Sequence, residues 1–194
     1  MKARYVFLLA VCSAFLSQSG WAQSVFLPLR AGQFSATTTG SFAICLNPTT
    51  FAEEACSTAG AKAFPLIVLS VGNGTGDAKG NVCESIVETD SDFPVDASAP
   101  FVAPNEHVVA KVTFYNPFTG SGNDSFKGYI GGKCNGASFD STGATLVSFG
   151  TGHFTVSENG NRIDGLATKL QNPTNSIGDF SLYTVDRALV TSNP

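Results

Sequence analysis

Residues 107–116 read HVVAKVTFYN. In an extended chain successive side chains point to opposite faces, so Val108, Ala110, Val112 and Phe114 share one side. His107, Lys111, Thr113 and Tyr115 share the other. An apolar set that repeats every second residue marks a half-buried strand, because a helix repeats its apolar positions every three or four. Asn116-Pro117 ends the run, since proline has no N–H for the ladder.

The same pattern recurs on both sides of this stretch. Short apolar runs stand at Gly40–Asn47, Ala63–Val71, Asn81–Thr89, Ser125–Gly131, Ala144–Phe149, Gly152–Ser157, Arg162–Leu170 and Asp179–Arg187. Gly, Ser, Thr, Asn and Asp separate them, and no long segment has helical periodicity. Glu158-Asn159-Gly160-Asn161 predicts a tight hairpin, because Asn-Gly accepts the positive φ angles such a turn needs. Asp90–Asn105, rich in Pro, Asp and Ser, is the longest expected loop. The fold class expected is all-β: a single antiparallel up-and-down meander closing into a barrel of about eight strands.

The N-terminus reads as a secretory signal. Lys2 and Arg4 precede a largely apolar stretch, Tyr5–Phe15, and small residues at Gly20 and Ala22 set up cleavage after Ala22. The apolar run is too short to span a bilayer as a helix, so no integral membrane segment is expected after cleavage. Leu9-Ala10-Val11-Cys12 is a poor lipidation signal, because Val11 is bulky and the apolar run continues beyond Cys12. The expected organisation is signal 1–22, a lead-in segment 23–39 and a barrel domain 40–190, in a secreted or periplasmic protein.

Loss of residues 1–22 removes Lys2 and Arg4 and no acid, leaving 9 basic residues against 15 acidic ones. That balance argues against a nucleic-acid or anionic-membrane partner, either of which needs a basic patch. Cys45, Cys56, Cys83 and Cys134 remain, an even set that reads as two disulfides in an oxidising compartment. Three pairings are open. Cys45–Cys56 closes a short loop. Cys83–Cys134 is preferred because Gly74–Gly80 and Gly120–Gly128 echo each other, each after an apolar strand and before a Cys. The absence of a C-x-x-C pair argues against zinc.

Chemical motifs are scarce. There is no H-E-x-x-H, no G-x-S-x-G and no phosphate or dinucleotide loop. His107 and His153 read as surface or strand-end residues. Arg162, Asp164, Asp186 and Arg187 read as outward ion pairs on half-solvated strands. No catalytic residue and no cofactor are expected. Gly120-Ser121-Gly122-Asn123-Asp124-Ser125-Phe126 resembles one turn of a calcium-binding RTX repeat, with Thr119 in place of the first Gly. A single copy supplies only half the ligands of such a site, so a Gly-rich hairpin turn is expected and no metal. The sequons Asn73-Gly74-Thr75 and Asn123-Asp124-Ser125 fall on the same stretches. Val108, Ala110, Phe114, Phe126, Phe154 and Phe180 are candidate lining residues for a small hydrophobic ligand. An eight-stranded barrel can be filled by side chains or can hold one such ligand.

Asp77-Ala78-Lys79-Gly80-Asn81, Ser157-Glu158-Asn159-Gly160-Asn161 and the strand spacing give a resemblance over roughly Ser41 to Arg187. The chain resembles calycin-type barrels, the lipocalin and avidin architecture, and more closely the secreted β-meander proteins of environmental bacteria. Lipocalins carry a G-x-W near the first strand, and avidins line their ligand site with Trp. The only Trp here, Trp21, lies in the signal segment. Neither ligand site transfers, and no residue matches the catalytic set of allene-oxide-cyclase-like barrels. Three function classes follow: a carrier of a small apolar or amphipathic ligand, a filled barrel with a structural or surface-interaction role, and a barrel isomerase or cyclase. The last requires Arg162, Asp164, Asp186 or a histidine inside a pocket.

Overall fold

The computed structural model describes residues 26–91 and 101–190, without the side chains of residues 88–91, 101–105 and 179–183. The expected signal segment 1–22 and the middle of the expected loop, 92–100, lie outside the described residues. Ten strands follow in order: β1 Gly32–Leu46, β2 Lys62–Gly76, β3 Asn81–Ser91, β4 Phe101–Asn116, β5 Ser121–Ile130, β6 Lys133–Asn135, β7 Ser138–Asp140, β8 Thr145–Ser157, β9 Arg162–Gln171 and β10 Ile177–Val190. Eight of them close a barrel in the order β1-β10-β9-β8-β5-β4-β3-β2, and β6 and β7 form a separate hairpin. Every barrel strand pairs antiparallel with its neighbour in sequence, apart from that excursion. β10 returns to β1 from Gln33↔Val190 to Ile44↔Ile177. The meander thereby leaves no open barrel edge for another chain to extend.

Local chemistry makes the turns. Between β2 and β3 the Asp77 carboxylate accepts from the backbone N–H of Lys79 and of Asn81, both at 2.9 Å, and from the Asn81 side chain at 2.7 Å. The Asn81 hydrogen bonds hold the Asp77 carboxyl below its usual pKa. Between β8 and β9, Glu158, Asn159 and Gly160 all take positive φ, as the Asn-Gly pair predicts. At the other end Glu53 accepts from Asn172, Thr174 and Ser176, tying the β1–β2 loop to the β9–β10 turn.

The interior obeys the two-residue period. Phe34, Ala36 and Thr38 of β1, and Leu66, Val68 and Ser70 of β2, are buried between exposed neighbours. A closed eight-stranded barrel is narrow, and glycines make room for its large side chains. A Cβ on Gly122 would lie 2.3 Å from the Phe154 ring, and one on Gly150 would lie 2.5 Å from the Phe126 ring. These glycines are seats for rings on the adjoining strand.

That packing corrects several expectations. The Gly120–Phe126 stretch is not itself the hairpin turn. The turn closes at Gly120, and Ser121–Ile130 is strand β5, with Gly122 placed under Phe154. Ala144–Phe149 and Gly152–Ser157 are not two strands but one, β8, because Gly150 and Gly152 seat interior groups without breaking the ladder. Residues 32–39 belong to the barrel and not to a lead-in segment. Their Ser/Thr-rich run lacks an apolar alternation, but β1 pairs without a slip from Gly32↔Gly76 to Leu46↔Lys62. Finally, a β-bulge between Val112 and Phe114 exchanges the two faces of HVVAKVTFYN. Phe114 turns outward, and Tyr115 stacks on Phe154 with ring centroids 5.8 Å apart.

The disulfides are Cys45–Cys56 and Cys83–Cys134, with Cα atoms 5.2 and 5.7 Å apart. The second fastens the β6–β7 hairpin over the outer face of β3 and β4. There it covers His107, which is therefore buried and not a surface residue, packed against Phe139 and bonded to Ser85 at 3.0 Å.

Two stability outcomes follow. Gly122→Val is expected to cost about 1–3 kcal/mol in urea denaturation, because the Phe154 ring must shift to admit the side chain. The bridges span 11 and 51 residues of sequence. Loop-closure entropy then makes paired Cys→Ala replacement cost about 3 kcal/mol at Cys45/Cys56 and about 4 kcal/mol at Cys83/Cys134. An equal or reversed order in denaturation midpoints would overturn this ranking.

Candidate functional site

Among the described residues four charged side chains project into the barrel: Glu84 from β3, Glu106 from β4, Asp124 from β5 and Arg187 from β10. Each keeps the phase of its apolar neighbours. Glu84 alternates with Val82 and Ile86, and Arg187 with Val185 and Leu189. Arg187 donates through Nε and Nη2 to the two carboxylate oxygens of Glu84, a bidentate ion pair with both side chains almost fully buried. Glu84 fits because Gly74 stands opposite it on β2, where a Cβ would lie 2.3 Å from the Glu84 side chain.

Asp124 lies beside this pair, with its Oδ1 over Gly152. Burial pushes the Asp124 carboxyl above its usual pKa; Arg187 pulls it down and Glu84 pushes it up again. Asp124 and Arg187 both border two small chambers, one towards Glu106 and Ser148 and the other towards Phe34 and Val82. Each chamber has a volume of about 30 Å³, room for roughly one or two water molecules. Ser70 Oγ is buried and has no hydrogen-bond partner among the described residues.

The residues singled out from the sequence divide between the two chambers and the outside. Val108 and Phe126 line the first chamber, and Ala110 and Phe154 the second. Phe114 faces solvent, for the bulge described above, at 58% exposure. The Phe180 side chain lies outside the described residues. Arg162 sits on the outer surface between Asp164 at 3.0 Å and Asp186 at 2.6 Å, all three about half exposed. Arg187, expected among these outward charges, points inward. The charged interior was missed because each of its members lies on a different strand. Its signal was available: four charges in phase with apolar positions.

The outer face carries a second feature, an open groove of about 560 Å³ over β4, β5, β8 and β9. Phe114, Asn123, His153, Asp164 and Leu166 are among its walls. His153 Nδ1 and Asn123 Oδ1 are 2.5 Å apart. Among the described residues no cluster of three or more His, Cys, Asp or Glu is placed to hold a metal ion. No family model, no curated protein and no solved structure matches the chain.

The charged interior yields two expected outcomes. Arg187→Met alone leaves the Glu84 charge buried without its bidentate partner, and is expected to cost about 3–5 kcal/mol. Adding Glu84→Leu should restore most of that loss, a coupling read from the double-mutant cycle by urea denaturation. The raised native pKa of Asp124 means that the folded protein holds this proton longer than the unfolded chain. Its stabilising contribution is complete below the unfolded value near 3.8 and is lost as pH rises through the native value. Asp124→Asn should therefore gain stability on the wild type over the pH range that begins near 4 and ends at the raised native value. A constant difference over that range would show that Asp124 does not titrate as described.

Proposed function

We propose that this is an exported, disulfide-fastened barrel of calycin-like architecture whose interior is a filled core and whose work is done by its outer surface. One observation carries this reading. Arg187, Glu84 and Asp124 stand between two chambers of about 30 Å³, far below the several hundred Å³ of a typical ligand pocket. A small apolar ligand inside would have to displace a buried ion pair, which costs several kcal/mol and returns no matching polar contact. That weighs against the carrier function. The isomerase or cyclase function loses support as well, because Arg162 and Asp186 lie half-exposed on the outer surface and Asp164 and His153 are walls of an open groove there.

Export is supported by the basic and then apolar N-terminal sequence together with the two disulfides, which form and persist in oxidising compartments. Among the described residues no helix is long and apolar enough to cross a membrane. The acidic surface expected of the cleaved chain is unsuited to nucleic acid.

Native mass spectrometry of the protein purified from its own host tests the reading, alongside titration with an uncharged fluorescent hydrophobic probe. The expected mass is that of the cleaved chain less the hydrogens of two disulfides, with nothing retained and no saturable rise in fluorescence. A retained small molecule, or saturable probe binding abolished by Ala110→Phe, would make the protein a carrier and overturn the filled-core reading.

A further inference from the structure

One row of outward side chains is not needed by the core. Phe114, Asn123, His153 and Leu166 stand opposite one another across β4, β5, β8 and β9. The first and last are large apolar groups, 58% and 43% exposed. Between them the Asn123 side-chain oxygen meets His153 Nδ1, and both side chains border the groove. The Asn123 amide keeps its N–H donors. Its backbone oxygen is held by Thr113 Oγ1 at 3.1 Å. The next row, Ser121, Thr155 and Asp164, supplies hydroxyls and a carboxylate to the same groove.

We infer that this groove binds a neutral sugar ring of a glycan. The apolar C–H face of the ring lies against Phe114, and its hydroxyl groups meet the Asn123 amide, the His153 ring edge and the Thr155–Asp164 edge. The groove volume of about 560 Å³ suits a ligand of one to a few rings. Charge and polarity select the class. An anionic ligand would meet Asp164 and Asp186 with Arg162 already shared between them, on a chain of net charge −4. A wholly apolar ligand would cover the Asn123 and His153 side chains and leave their remaining polar atoms unsatisfied. A ring with one C–H face and a rim of hydroxyl groups matches both parts. This inference rests on the reading that the protein works through its outer surface.

Saturation-transfer NMR on the intact, cleaved protein tests it, with two probes: a linear tetrasaccharide of glucose and one of N-acetylglucosamine. Transfer to ring protons of at least one probe is expected, with the weak affinity usual for a shallow site. Phe114→Ala and Asn123→Ala should each weaken binding by about tenfold or more. Leu69→Ala, which removes an equally exposed apolar side chain from β2 across the barrel, should leave it unchanged. Two-dimensional amide spectra of each variant check that the barrel is intact. Phe114→Leu serves as a second variant, keeping an apolar side chain without the flat ring, and is also expected to bind weakly. No transfer to either probe, or equal loss in Leu69→Ala, or undiminished binding by Phe114→Ala, overturns the inference. A hydrophobic ligand found inside the barrel would overturn the filled-core reading while leaving the Phe114 dependence of sugar binding in place, so the two failures are distinguishable.

Discussion

The pairing of Arg187 with Glu84 is the constraint around which the rest of the barrel is arranged. The two side chains come from β10 and β3, with β1 and β2 between them in the sheet, so the pair reaches across the interior. Neighbouring strands can slip against each other by two residues and keep their faces. A pair that reaches across the barrel fixes the heights of non-adjacent strands. A slip of one residue in β3 would turn Glu84 outward and Cys83 inward, breaking the ion pair and the bridge to Cys134 together. The alternation of β3 thus serves two cross-links of opposite direction. Glu84 is held inside by charge, and Cys83 is held outside by a covalent bond.

Buried charge is a poor source of net stability, since desolvation offsets most of the attraction. The surrounding sequence is organised to limit that cost. Gly74 opposite Glu84 lets the carboxylate sit close to the sheet, and Gly152 does the same for Asp124. The aromatic rings Phe34, Phe126 and Phe154 are seated in the same manner over Gly76, Gly150 and Gly122. Large groups and glycines therefore alternate between adjoining strands, and the small chambers that remain are the gaps of this packing. Asp124 relieves part of the excess negative charge by keeping its proton to higher pH than an exposed carboxyl does.

The class of fold was legible because strand periodicity is a local signal. HVVAKVTFYN, the hairpin at Asn159-Gly160 and the even set of cysteines each report on their own neighbourhood, and together they imply a disulfide-bonded meander. What was not legible depends on who stands opposite whom. Gly122 reads as a turn residue until Phe154 is known to be its cross-strand partner. The run Ser35–Thr39 looks like a polar arm until β2 and β10 are seen on either side of it. Arg187 looks like one more surface charge beside Asp186, although its phase with Val185 and Leu189 already placed it indoors. The outer groove left almost no trace, because its members come from four strands and one of them, Phe114, reached the surface only through a bulge.

That bulge links the core to the surface. One extra residue at Thr113 turns the ring of Phe114 into solvent and, by the same half-turn of the strand, turns Tyr115 inward. Tyr115 then stacks on Phe154 and donates its hydroxyl hydrogen to the backbone oxygen of Leu27. The segment before β1 is thereby drawn against the β4–β5 end of the barrel, where the Leu27 N–H also bonds to Pro117 oxygen at 2.8 Å. The exposed wall of the groove and the closure of that end are two consequences of a single irregularity. Straightening the strand would bury Phe114, as its sequence pattern predicts, but it would also release Tyr115 from Phe154 and Leu27. The exposed aromatic is therefore retained by the packing of the core beneath it, which holds the groove rigid without any ligand contact of its own.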